Sequence, residues 1–495
     1  MNNLRSLIPN YRKIRRWLGL LVMTFLLVVV SRLPASADTA KHYTDLKFSS
    51  LGEVQIPKYT RYKLDNGMVV YLMEDHELPL VGGTALVRTG DRLEPADKVG
   101  LGGITGQVMR TGGTTIHSGD ELNQLLEQRA ASVETSIGTT SGSASFSALS
   151  RDLDSVFDLF AEVIQKPAFA PDKLDFAKRQ AAGQIARRND DPNEITGREF
   201  QKLIYGESSP YARTVEYATL SKISREDLLA FYEQYFHPES MILGIIGDFD
   251  SEKMRSRIQE KFGKWSPTTK APQPIVPTAD QAKQGGVFFI NQPQLTQSYV
   301  QMGHLGGKLN SPDYAALDVL NQVMNGFGGR LFNEVRSRQG LAYSVYSFWS
   351  PNFDYPGTFS AGGQTRSDAT VPFIKSIRAE IEQLRTKPIT ATELAFAKDQ
   401  VLNSFVFKFQ DPVQTLSRLM RYEYFGYPAD FLFRYQQGVK TTTIEDVQRV
   451  AQKYLQPDKL VTLVVGNTST IQPPLTSLSR DVTSLDITIP KPNNI

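Results

Sequence analysis

Three short stretches of this chain occur twice, in the same order and at nearly the same separation. That repetition limits the fold more than any other feature. Gln107-Val108-Met109 followed by Gly112-Gly113 returns as Gln322-Val323-Met324 followed by Gly328-Gly329. Leu174-Asp175-Phe176-Ala177-Lys178-Arg179-Gln180 returns as Leu394-Ala395-Phe396-Ala397-Lys398-Asp399-Gln400. Glu226-Asp227, Tyr235, Pro238 and Gly247 return as Glu445-Asp446, Tyr454, Pro457 and Gly466. The offsets are 215, 220 and 219 residues, so one domain is written twice. At 495 residues the chain is long enough for each copy to bury its own core.

Each copy reads β-β-α-β-β-α-α-α-β. In the first, Asp65-Asn66-Gly67 marks a tight turn between two alternating apolar runs over residues 62–75. A capping pattern at Ser118-Gly119-Asp120-Glu121 opens a helix, two Ser/Thr-rich strands follow, and apolar periodicity predicts a helix over Leu153 to Gln165. A long helix begins near Asp172 and is stopped by Asp190-Asp191-Pro192. Further helices are expected over Glu194 to Leu203 and Ser224 to Tyr235, and the copy ends in the strand of residues 241–250. The expected class is α+β: two homologous domains, each an antiparallel sheet with helices packed on one face. They span residues 56–263 and 287–472. Between them, residues 264–286 hold four prolines and no helical or strand period, the mark of a linker. After 472 the chain is expected to run as an extended tail to 495.

The N-terminus has the three-part layout of a secretory signal peptide. Residues 1–37 carry six basic residues and no acid, then the apolar run Leu18 to Val30, then Ala35-Ser36-Ala37 as a small-residue cleavage site. A run that short predicts cleavage and export to the periplasm or an equivalent lumen; an uncleaved leader would be a membrane anchor. Residues 38–55 are a polar lead-in. Loss of the leader takes the formal net charge from +3 to about −3, which removes any nucleic-acid reading and leaves no membrane segment in the mature chain. The absence of cysteine excludes disulfides, thiolate catalysis and cysteine metal sites.

The stretch Gly100 to Gly113, GLGGITGQVMRTGG, resembles the inverted zinc motif H-x-x-E-H of the pitrilysin/insulinase family of metallopeptidases. In that motif two histidines one helical turn apart hold zinc, and the glutamate between them activates water. Aligned on the Gly-Leu start, the first histidine falls on Gly103, the glutamate on Gly106 and the second histidine on Gln107. The family's third ligand, a glutamate further along, falls on Gln184. Glycine cannot bind zinc and glutamine is a poor ligand, so the resemblance implies a degenerate motif and no zinc in this chain. Two α+β halves joined by a proline-rich linker are also the layout of that family, and the likeness extends over roughly Tyr62 to Gly466.

The second copy keeps a different mark, NGFGGRLFNEVRSRQGLAYSV over residues 325–345. In the family an arginine and a tyrosine in this stretch act on substrate held at the zinc site. The resemblance places these roles on Arg336 and Tyr343. It places a peptide-binding glycine-rich loop on Gly326, Gly328 and Gly329. An arginine pairing with Glu334, a half-buried strand tyrosine and an ordinary glycine turn are the plain alternatives. The five histidines are never three or four apart, so no single helix presents a metal pair, and His237 suits a helix-end cap.

The resemblance implies a zinc-free, substrate-binding subunit of an exported two-chain peptidase. A zinc-bearing partner subunit of the same family would hold the metal, and the shared substrate would be a peptide or unfolded polypeptide. Alone, the chain is not expected to be zinc-active. The alternative is a non-catalytic structural or peptide-binding module of the same fold, and a relocated metal site is the third option.

Overall fold

The computed structural model describes residues 56–492 apart from 268, 269 and 274. The expected signal peptide and lead-in therefore lie outside the described residues. Among the described residues no helix is long and apolar enough to cross a membrane.

Two six-stranded sheets form the frame. The first contains β1 (Thr60–Lys63), β2 (Val69–Glu74), β3 (Leu80–Val87), β4 (Ser132–Ile137), β5 (Gly142–Leu149) and β6 (Met241–Gly247), in the order β1-β2-β6-β3-β5-β4. The second contains β7 (Gly286–Asn291), β8 (Gln297–Leu305), β9 (Ala342–Ser350), β10 (Thr358–Arg366), β11 (Val461–Gly466) and β12 (Val482–Ser484), in the order β12-β7-β11-β8-β10-β9. The duplication thus becomes one topology drawn twice, and the α+β class holds. Most strand pairs are antiparallel, but β2 with β6 and β7 with β11 are parallel, because each is closed by a long helical excursion. The edge position filled by β1 in the first sheet is filled in the second by β12, parallel to β7. The tail after 472 makes a short 3-10 turn at Leu475–Ser477 and then supplies β12. Helix Ser251–Phe262, which follows β6, has no counterpart after β11 and was not anticipated. Asp250 caps it through Lys253 N (2.9 Å), and Met254, Ile258 and Phe262 form its buried stripe.

Each sheet carries the helices of its own half on one face. Val70, Leu72, Val81, Ala85 and Leu243 point into that core, alternating with Tyr71, Met73, Leu86 and Ile242, which point the other way. That second face is also covered, by a helix from the opposite half. Helix Pro412–Phe425 lays Leu416, Leu419, Met420 and Tyr424 on the first sheet. Helix Pro192–Tyr205 lays Ile195, Phe200, Leu203 and Ile204 on Phe288, Ile290, Leu463 and Val465 of the second. Both crossing helices start alike: an aspartate (Asp191, Asp411) caps the N–H two residues on, and proline occupies the first turn. The expected picture of helices on one face is therefore extended by one exchanged helix per half. Polar contacts fasten the exchange. Arg92 Nη2 lies 2.7 Å from Asp354 Oδ2, Arg61 Nε donates to Glu423 Oε2 (2.8 Å), and Tyr424 Oη donates to Thr140 O (2.6 Å). The linker is tied down where Tyr211 Oη donates to Pro277 O (2.8 Å).

Candidate functional site

The helix carrying the degenerate motif is Leu101–Thr111. Its first residue is preceded by Gly100 at φ +105, which offers no capping side chain. The cap comes from outside: Glu94 accepts from Gly100 N (2.9 Å) through one oxygen and from Gly102 N (2.8 Å) through the other. Glu94 is buried, and burial pushes its carboxyl up to about 7 against the opposing pull of those two N–H donors. A Cβ on Gly102 would stand 3.0 Å from Asp91 Cα, so the glycine permits the turn before the helix to pack this closely.

The four motif positions have three different fates. Gly103 is exposed, and a Cβ there would meet nothing within 4 Å. Gly106 is buried against edge strand β4: a Cβ would stand 2.4 Å from Ile137 N, and Thr135 Oγ1 donates to Gly106 O (2.6 Å). Gln107 Nε2 donates to Gln180 Oε1 (2.7 Å), one turn before the exposed Gln184 on helix Pro171–Arg187. The structure brings the two helices together as the motif requires, but joins them by an amide pair. These residues do not fit zinc: two positions have no side chain, two have neutral amides, and helix and strand have closed over position 106. None of the four motif positions carries an acid or a base.

Histidines elsewhere serve the fold. His237 Nε2 lies 3.0 Å from Glu233 O at the end of helix Arg225–Tyr235. His304 is buried between Leu305 O and Gln456 N, which fixes it neutral, and burial lowers its pKa. His117 pairs with Glu162 (2.9 Å) and exposed His76 with Asp248 (2.7 Å). His42 lies outside the described residues. Among the described residues no group of three or more histidine or acidic side chains is arranged to hold a metal ion.

In the second half, residues Phe332–Arg338 form a π-helical segment that leads into edge strand β9. The Arg336 guanidinium lies between two rings, 4.9 Å from the centroid of Phe332 and 4.8 Å from that of Tyr343. Glu334, the partner considered for Arg336, is held instead by Arg338 (2.7 Å). Tyr343 stands at the start of β9 with 83% of its surface exposed. The glycine loop abuts this stack. Gly326 has φ +77, and a Cβ on Gly328 would stand 2.4 Å from the Phe396 ring. A Cβ on Gly329 would stand 2.1 Å from Asn325 O. Phe327, 80% exposed, meets Phe332 edge-on at 5.1 Å. Phe327, Phe332, Arg336 and Tyr343 thus form one continuous surface row. The two phenylalanines escaped the sequence reading; an aromatic between glycines at 327 was the available signal. No hydrogen bond or cation–π contact among the described residues joins this row to the Gln107–Gln180 pair.

The chain was compared with known proteins. A family model described as insulinase, peptidase family M16, matches residues 70–209, and one described as peptidase M16 inactive domain matches residues 222–401. An uncharacterized zinc protease of Mycobacterium leprae is 26% identical over 312 residues, 62% of this chain and 69% of its own length. The protein named non-peptidase homolog YmxG of Helicobacter pylori is 22% identical over 421 residues, 84% of this chain and 95% of its own. Among solved structures, a peptidase M16 inactive domain from Pseudomonas fluorescens superposes with a TM-score of 0.74 at 24% identity, covering 83% of this chain and 98% of that one. A protease from Helicobacter pylori gives 0.73 at 20%, covering 83% and 100%. The two family matches together span more than half of the chain, and the degenerate motif falls inside the first. The chain belongs to the pitrilysin/insulinase family, peptidase family M16, as a member without that family's zinc-binding residues.

Proposed function

We propose that this chain is the zinc-free, substrate-binding subunit of an exported two-chain peptidase, with the metal in a partner subunit of the same family. One observation carries the reading: the Phe332–Arg336–Tyr343 stack, presented at a sheet edge in a chain whose own motif helix has lost every metal ligand. Ring contacts on both sides hold the guanidinium of Arg336 in place without consuming its hydrogen-bond donors. Those donors hold backbone carbonyls of a bound peptide. The exposed phenol of Tyr343 donates to the carbonyl oxygen as it gains negative charge. The metal chemistry belongs to the partner chain. Export rests on the leader-like residues 1–37, and the substrate class on the glycine loop and aromatic row beside β9.

The test is reconstitution with a family member that carries an intact H-x-x-E-H. Arg336→Ala or Tyr343→Phe lowers kcat of the complex by about two to three orders of magnitude while leaving subunit affinity unchanged. Hydrolysis of a peptide by the isolated chain, abolished by a chelator, would overturn the proposal. A second reading, a peptide-binding module with no part in catalysis, is supported by the non-peptidase name of the Helicobacter pylori relative. Unchanged kcat in both variants would select it.

A further inference from the structure

A concave site lies beside the crossing helix Pro412–Phe425, within the second half. It is a cavity of about 500 Å³ between that helix, Lys408 and the start of helix Tyr314–Met324. Its lining contains three cations, Lys408, Arg418 and Arg421, and no carboxylate. Some other cations of this half are ion-paired: Arg330 is held by Glu393 (2.7 Å), and Arg449 and Lys453 share Asp313 (2.6 and 2.9 Å). Among the described residues none of the cavity's three cations has an ion-pair partner. Arg418 Nη1 is instead steered by Lys408 O (2.6 Å), and Lys408 Nζ sits 5.0 Å from the centre of the Tyr435 ring. The acid nearby, Asp318, is half-buried and bound by the Tyr435 hydroxyl, and desolvation raises its pKa. Burial lowers the pKa of Lys408 against the opposing pull of Asp318, and Arg418 adds repulsion. Tyr314, Phe353, Tyr422 and Phe431 supply aromatic walls.

Three cations line this one concavity; like charges that close repel one another, and an anion seated beside them is attracted by all three. Two arginine forks match the oxygens of a phosphate, and three cations match a dianion better than a single carboxylate. Flat aromatic walls and this volume suit a ring-sized organic body. We infer that this cavity is a binding site for a small organic phosphate with an aromatic or otherwise planar body. The ligand would touch the crossing helix through Arg418 and Arg421 and its parent half through Lys408 and Tyr314. It would thereby fasten the segment that holds the two halves together. The inference is independent of any role for Arg336 and Tyr343.

The experiment is calorimetric titration of the full chain with phenyl phosphate, inorganic phosphate, benzoate and phenol. Phenyl phosphate is expected to bind saturably at one site per chain. Inorganic phosphate and benzoate should bind about tenfold or more weaker, and phenol should not bind. Arg421→Ala, at an exposed position, and Lys408→Met should each weaken phenyl phosphate by about tenfold or more. Arg434→Ala, whose guanidinium already pairs with Asp430 outside the cation cluster, should leave it unchanged. Lack of saturable phenyl phosphate binding, equal binding of benzoate, or equal binding to wild type and both cavity variants would each overturn the assignment.

Discussion

The sulfur of Met420 occupies the space in which Gly244 would carry a side chain: a Cβ on Gly244 would stand 2.2 Å from Met420 Sδ. Gly244 belongs to β6 of the first half, and Met420 to the helix sent over from the second. The reciprocal contact is made by Phe200, whose ring lies 2.8 Å from where a Cβ on Gly303 of β8 would be. Phe200 and Met420 are separated by the same 220 residues that relate the duplicated helices. One ancestral helix position therefore serves both crossings, and in each a bare glycine admits a large side chain to the backbone of the opposite sheet.

This arrangement predicts strong coupling between the two halves. Met420→Ala should cost about 2–5 kcal/mol, as other large-to-small changes at buried sites do. Gly244→Val should cost about 1–3 kcal/mol or more by overpacking. Gly244→Ala with Met420→Ala should cost less than the sum of the single changes by about 0.5–3 kcal/mol, since the shorter residue 420 makes room for the new methyl. Denaturant unfolding of the four proteins gives the cycle. Strict additivity would show that the contact is not the one described.

The motif helix supplies a test of why the metal site is lost. Gly103→Ala enters open space in a helix and should stabilise by up to about 1 kcal/mol. Gly106→Ala must push the helix off β4 and should destabilise by about 1–3 kcal/mol despite the same gain in propensity. Unfolding midpoints that move in the same direction for both would contradict the closed helix–strand contact.

Much of this fold was legible in the sequence because repetition and apolar period are local signals. The helix at Leu153–Gln165 and the capping box at Ser118 and Glu121 were expected residue for residue. Helix Ser251–Phe262 has a readable cap and apolar stripe, but it follows the last strand of the repeat and has no second copy to announce it. What periodicity cannot state is which surface an apolar stripe meets. Ile195, Phe200 and Leu203 announce a buried face, but nothing in their spacing says that it covers the other half's sheet. The site divides in the same way. Alignment could assign the missing ligands to Gly103, Gly106, Gln107 and Gln184. The pressure of Ile137 on Gly106, the cap from Glu94 and the ring of Tyr343 on Arg336 arise only from packing between elements.

The stack around Arg336 predicts a separation between stability and activity. Tyr343 is largely exposed and Arg336 only partly covered, so Tyr343→Phe and Arg336→Lys should each shift stability by less than about 0.5 kcal/mol. Lysine keeps the charge but loses the planar fork between the rings, so Arg336→Lys should fail to restore the activity of the reconstituted complex. Thermal unfolding and peptide hydrolysis measured on the same samples check this. A Lys variant with full activity would show that charge alone suffices at this position.

Glu94 predicts a dependence of stability on pH. Its carboxyl is pushed from an ordinary 4.5 up to about 7 by burial, so between those values the folded chain holds a proton that the unfolded chain has released. The stabilisation is therefore fully present below about pH 4.5 and is lost as pH rises through 7, about 3 kcal/mol across the window. Asp91 is raised by burial in the same sense, whereas Asp313, held down to about 2 with Lys453 and Arg449 as its partners, acts only at lower pH. Glu94→Gln fixes the neutral form and keeps one acceptor for the Gly100 or Gly102 N–H. Subtracting its stability curve from that of the wild type leaves the contribution of Glu94 together with its coupling to Asp91. The difference should fall by about 3 kcal/mol between pH 4.5 and 8. Parallel curves across that range would mean that Glu94 is already ionised in the folded chain, with the two helix N–H groups outweighing its burial.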